Sequence, residues 1–100
     1  MRRGAAAVFR DVDLLVTPTT AIPAPSFAEL DGHLDDLRPR ELVLMRTTRM
    51  FDVLGTPAIS VPCGTTSAGL PIGLQIIGAP GADAAVLRLA AAYEAAAAAA

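Results

Sequence analysis

The sequence predicts an α/β fold, a mixed sheet whose strands carry flanking helices. Three observations point there. The apolar runs "LLV", "AISV" and "LQII" are near-continuous rather than alternating, the pattern of strands buried on both faces. Other stretches place apolar residues at three- and four-residue steps, the period of amphipathic helices. Finally, 53% of the 100 residues are apolar, above the roughly 45–50% of globular chains. A short chain has a high surface-to-volume ratio and normally needs more polar surface, not less. Two or three helices cannot cover both faces of such a sheet. The chain is therefore expected to be a piece of something larger, or half of an obligate complex.

Residues 2–10 are expected to end a helix. "DVDLLVTPTT" follows, with a strand expected over Val12 to Val16 and halted by Thr17-Pro18. Residues 21–39 are rich in Pro, Asp and Gly and read as a surface excursion. Within it Ser26 and Glu29 have the spacing of a capping box, predicting a helical turn at Ser26 to Leu30. Pro39 suits the first turn of a helix running through "ELVLMRTTRMFDVLG". Val43, Thr47, Met50 and Leu54 share one face of it, with Leu44 and Phe51 beside them. Gly55 is placed to end that helix, and Pro57 prevents its continuation. Two strands come next, "AISVPC" and "PIGLQIIG", joined by a small polar loop between Gly64 and Gly69. The last helix follows Gly81, with Asp83 favouring its N-terminal dipole and Val86, Leu89, Ala90 and Tyr93 forming its apolar stripe. Residues 95–100 are an alanine tail that extends it at little cost.

Composition closes several function classes. The formal net charge is −2, all basic residues are Arg, and no basic stripe with interleaved aromatics appears, so nucleic acid is not an expected partner. One Cys and one His cannot build a zinc site or an internal disulfide. No phosphate-loop spacing occurs in "GTTSAG" or "GAPGAD", and the loop's Lys is missing; no cofactor is expected. The apolar patch near Met1 is broken by Arg10, Asp11 and Asp13, too short for a signal peptide. No run approaches the ~18 apolar residues of a membrane span. A cytoplasmic protein is the expectation.

Chemistry-bearing residues are sparse. Ser60 has no Gly-x-Ser-x-Gly elbow, Ser67 sits in a turn without a nearby base, and Ser26 is better used as a cap. Cys63 and His33 stand far apart in sequence; a buried, structural thiol and a solvated loop imidazole are the favoured readings. Asp35-Asp36 and Asp11 with Asp13 have no reason to share a proton or hold a metal. More promising is the strand running into Thr-Pro-Thr-Thr, because ligands of α/β sheets gather at strand ends. Thr17 and Thr19 either terminate that strand or offer hydroxyls to a pocket rim. Asp52, among apolar neighbours near a helix end, either caps the next turn or faces a pocket.

"DVDLLVTPTT", "TTRMFDVLGTPAISVPCG", "GLPIGLQIIG" and "LRLAAAYE", in this order, resemble the C-terminal segment of the amidase signature family. The likeness spans residues 11–94, with 21–39 as its variable part, and makes the chain an incomplete piece of the amidase signature fold. The resemblance implies hydrolysis or transfer of carboxamide groups by a serine nucleophile, a second serine and a lysine, without metal or organic cofactor. Those residues belong to a Gly/Ser-rich signature and a lysine upstream of the matched segment. This chain contains no Lys and no such run, so no catalytic residue carries over. The resemblance leaves Thr19, Thr48 and Asp52 as candidate pocket residues for a small carboxamide substrate. Asp52 replaces an Asn usual in the family, exchanging an amide donor for a charge. The A-type subunits of glutamine amidotransferases tend to carry an acidic residue a few positions before the equivalent of Thr48. Here Leu44, Met45 and Arg46 lean towards a general amidase, with the A-type amidotransferase chain as the alternative. A non-catalytic assembly module, pairing with a partner chain over its apolar sheet, is the reading from another class.

Overall fold

A computed structural model describes residues 2–31 and 37–99. Helix α1 spans Arg2–Asp11, strand β1 Leu14–Pro18 and the single turn α2 Phe27–Leu30. Helices α3 (Leu37–Leu44) and α4 (Arg46–Leu54) come next, then strands β2 (Ala58–Thr65) and β3 (Pro71–Gly78) and the long helix α5 (Asp83–Ala99). The strands form one sheet in the order β1-β3-β2, antiparallel at both pairings. The two neighbouring strands expected of "AISVPC" and "PIGLQIIG" are thus paired, and helices pack on the sheet as the α/β expectation requires.

Side-chain alternation along β3 organises everything else. Leu74, Ile76 and Gly78 face α5, where Val61, Ile76, Val86 and Ala90 form the core cluster with Leu14, Ile59, Leu74 and Tyr93 against it. Gly78 lets α5 approach closely, since a Cβ there would lie 2.8 Å from Val86 Cγ2. Gly73, Gln75 and Ile77 face the other way, towards α4. Ile76 and Ile77 are fully buried, so the middle strand is covered from both sides. Double burial holds only there, from Gln75 to Gly78. In β2 Val61 alone is buried, and Val16 of β1 is 53% exposed. Among the described residues each outer strand has one open edge, and α5 packs chiefly on β2 and β3. With a radius of gyration of 15.8 Å and extents of 46 × 39 × 17 Å, the chain is a plate, wider than the roughly 13 Å radius of a compact domain this long.

Local signals settle the helix ends. The Ser26 hydroxyl accepts the Glu29 N–H at 3.1 Å, the expected cap. Gly55, at φ 71°, closes α4: its N–H reaches Asp52 O, and the Thr56 N–H reaches Phe51 O at 3.3 Å. That is a Schellman ending, which needs a left-handed residue at this position.

Four expectations are corrected. The strand Val12–Val16 lies two residues further on, because antiparallel pairing of Thr17 with Gln75 and Pro18 with Leu74 extends it; Pro18 is tolerated on an outer strand. The single helix after Pro39 is two helices meeting at Met45, whose φ of −92° and ψ of 0° depart from helical geometry. Neither Gly nor Pro stands there to signal the break. In α4 Phe51 is buried and Met50 is 49% exposed, so the inward face runs through Thr47, Phe51 and Leu54. In α5 Leu89 is exposed; Val86, Ala90 and Tyr93 keep the stripe.

Candidate functional site

The polar side chains converge on the α4 face of the sheet. Gln75 is 4% exposed, and its Nε2 donates to the Thr47 carbonyl at 2.9 Å and to Thr17 Oγ1 at 3.0 Å. A carbonyl only accepts, so the amide orientation is fixed. The Thr47 hydroxyl in turn donates to the Thr19 carbonyl. One glutamine and one threonine therefore tie α4 to β1 and β3. These bonds satisfy the buried amide.

Just past the end of β1, the Thr19 N–H bonds to Gly73 O at 3.0 Å, continuing the ladder. Thr19 Oγ1 then meets Ser60 Oγ at 2.6 Å. Thr19 directly follows β1 and Ser60 lies on β2, with β3 between them. Their hydroxyls touch because Gly73 occupies the intervening position: a Cβ there would lie 2.7 Å from both oxygens. A groove of about 330 Å³ includes the pair and is walled by Val61, Pro62, Pro71 and Ile72. A smaller recess of about 190 Å³ adjoins it, reaching Ile22, Pro23 and Thr66.

Of the residues singled out from sequence, Thr19 lines this groove. Thr48 is half-buried on α4, and its hydroxyl bonds to Met45 O at 3.3 Å. Asp52 is exposed in the last turn of α4. Neither Thr48 nor Asp52 is among the groove's walls. His33 and Asp35-Asp36 lie outside the described residues. Among the described residues no cluster of His, Cys, Asp or Glu could hold a metal ion, and no helix is long and apolar enough to cross a membrane. Sequence reasoning does not single out Gly73, treats Thr47 only as a residue of a helix face and considers Ser60 only as a nucleophile; in the structure Ser60 is the neighbour of Thr19.

Cys63 is exposed rather than buried. Register runs Pro62 to Gly73 and then Gly64 to Ile72, so Cys63 is the extra residue of a β-bulge with no partner on β3. Native protein is accordingly expected to react with a thiol reagent such as Ellman's at a rate close to that of the urea-unfolded chain. Strong native-state protection would contradict this placement.

The chain is thus a small α/β unit, a three-stranded sheet with helices on both faces and an uncharged groove beside it. The family model described as Amidase matches residues 1–87, and the chain belongs to that family. It is 49% identical over 90 residues to a fatty acid amide hydrolase of Medicago truncatula, covering 87% of this chain and 14% of that protein. It is 45% identical over 87 residues to the A-type subunit of the glutamyl-tRNA(Gln) amidotransferase of Myxococcus xanthus (strain DK1622), covering 86% and 17%. Among solved structures, 6-aminohexanoate cyclic dimer hydrolase superposes with a TM-score of 0.77 at 33% identity, covering 95% of this chain and 22% of that one. The chain thus spans 14–17% of the length of these curated relatives.

Proposed function

We propose that these residues serve as the C-terminal part of an amidase-type hydrolase, contributing sheet strands and pocket wall to an enzyme that cleaves carboxamide C–N bonds. In the family that chemistry runs on a serine nucleophile activated through a second serine and a lysine. The single observation behind the reading is the family match over residues 1–87 in a chain that has no Lys. The base of the family's mechanism is thus not among these residues, and neither is its Gly/Ser-rich run. Thr19, Thr48 and Asp52 are assigned to the substrate side of the assembled pocket, and the single Cys suits a reducing, cytoplasmic setting. The 100-residue chain is expected to release no ammonia from simple amides when purified alone. Turnover abolished by a serine-directed inhibitor would overturn the proposal.

A second reading has its own support. Both outer strands present unpaired edges among the described residues, and Val16, Met50 and Val53 are exposed apolar residues. Such a surface suits a non-catalytic module that completes its sheet on a partner chain. The likeness to an amidotransferase component gives this reading a version in which the partner belongs to a multisubunit enzyme. Sedimentation of the purified chain distinguishes the readings: a stable monomer disfavours an obligate partner.

A further inference from the structure

We infer that the groove over the Thr19–Ser60 hydroxyl pair is a binding subsite for a small uncharged ligand that offers both a hydrogen-bond donor and an acceptor on an apolar body. The inference rests on the amidase-type reading only for the choice of an amide as that ligand. Three observations carry it.

The first is hydrogen-bonding capacity. Each hydroxyl has one proton and two lone pairs. Their mutual bond at 2.6 Å uses one proton and one lone pair. Among the described residues no other side-chain bond engages either oxygen, so the pair retains one O–H donor and several acceptor positions. An amide group, with C=O and N–H on adjacent atoms, matches that set; a carboxylate can only accept.

The second is charge. None of the described residues lining the groove or its adjoining recess is ionisable. An anionic or cationic ligand would lose water there without meeting a counter-charge, which is costly in an apolar setting. The remaining walls, Val61, Pro62, Pro71 and Ile72, suit a short hydrocarbon. At about 330 Å³ the groove is at the small end of the roughly 300–1,000 Å³ range of ligand sites.

The third is construction. The pair meets only because position 73 has no side chain, and its Thr19 side is held by the Thr19 N–H to Gly73 O bond and by the Thr47 hydroxyl on Thr19 O. Two backbone anchors fix where the hydroxyls stand before any ligand arrives, which lowers the ordering cost of binding.

The test is titration of the ¹⁵N-labelled chain with hexanamide and, separately, hexanoate, followed by amide chemical shifts. Saturable shifts at Thr19, Thr20, Ser60 and Gly73 are expected with hexanamide, and hexanoate is expected to bind at least tenfold more weakly. The Ser60→Ala variant, altered at an exposed position, should keep a dispersed spectrum and weaken hexanamide at least threefold. Absence of shifts at these residues, equal binding of hexanoate, or unchanged affinity of Ser60→Ala would each overturn the inference. The same samples separate it from the proposal above: conversion of hexanamide to hexanoate and ammonia by the chain alone would sink that proposal, whereas missing shifts leave it standing.

Discussion

The Gln75→Glu variant is expected to lose at least about 3 kcal/mol of stability at neutral pH, enough to unfold a large share of a marginal chain. The wild-type amide gives two hydrogen atoms, one to the Thr47 carbonyl at 2.9 Å and one to Thr17 Oγ1 at 3.0 Å. A carboxylate has none to give. It would set a negative oxygen against the Thr47 carbonyl in a position that is 4% exposed, where bulk solvent scarcely reaches it. Burial raises the pKa of such a carboxyl above its unfolded value. The protonated form, which regains one donor, is favoured in the fold at low pH, so the variant's deficit shrinks on acidification and grows as pH rises through the folded pKa. Gln75→Leu separates charge from hydrogen bonding. It removes both bonds that the amide donates and should cost about 1–3 kcal/mol, with little pH dependence. Urea titrations at pH 4.5 and 7.5 measure all three proteins. A Gln75→Glu deficit smaller than that of Gln75→Leu at pH 7.5 would show that this amide does not anchor α4.

Ile76→Ala is expected to cost about 2–5 kcal/mol, the range for emptying a fully buried aliphatic site. Ile76 has no exposed surface and stands at the centre of the cluster with Val61, Val86 and Ala90. Val16 is its register partner on β1, yet it is 53% exposed, so Val16→Ala should cost about 0.5 kcal/mol or less. The contrast tests whether α5 leaves the Val16 part of β1 uncovered. Equal losses at the two positions, read from urea midpoints, would mean that β1 is covered in solution by another copy or another segment.

The parts of the fold legible in the sequence are those governed by local chemistry. Ser26 with Glu29 marked a cap, Gly55 a helix end, Asp83 a helix start, and Val86, Ala90 and Tyr93 an inward stripe. Each depends on residues within a turn or two of one another. The errors have tertiary causes. "LLV", "AISV" and "LQII" look alike as strings, yet only the last is covered on both sides, because it alone takes the middle position. Sheet order is decided by pairing between distant segments and leaves no mark in any one run. Cys63 looked like the buried end of an apolar strand, and the bulge turned it outward; Pro62 and Gly64 on either side were the available signal. Met45 breaks a helix without any residue that breaks helices.

The site was half legible. A strand running into Thr-Pro-Thr-Thr directed attention to Thr19, and Thr19 does line the groove. Its companion Ser60 could not be chosen from sequence, because Ser60 lies on β2 and Thr19 follows β1, two strands that never pair directly. The link between them is Gly73, a residue that matters by having no side chain. Thr47 rather than Thr48 makes the contact from α4 to the sheet; adjacent threonines on a helix are about 100° apart, and only the tertiary fit selects between them.

The strand order has a consequence for how the chain comes to be folded. Of these three strands β3 is the last to leave the ribosome, and it is the one to which both others bond. Until it emerges, β1 and β2 have no partner within these residues, and Leu14 must wait for Gly78 from nearly the opposite end of the sequence. Contacts so distant form late and slowly. During that interval two hydrophobic strands stand open to self-association. The prolines at 18 and 62, which withhold a backbone donor from each of them, are placed where they make premature pairing least favourable.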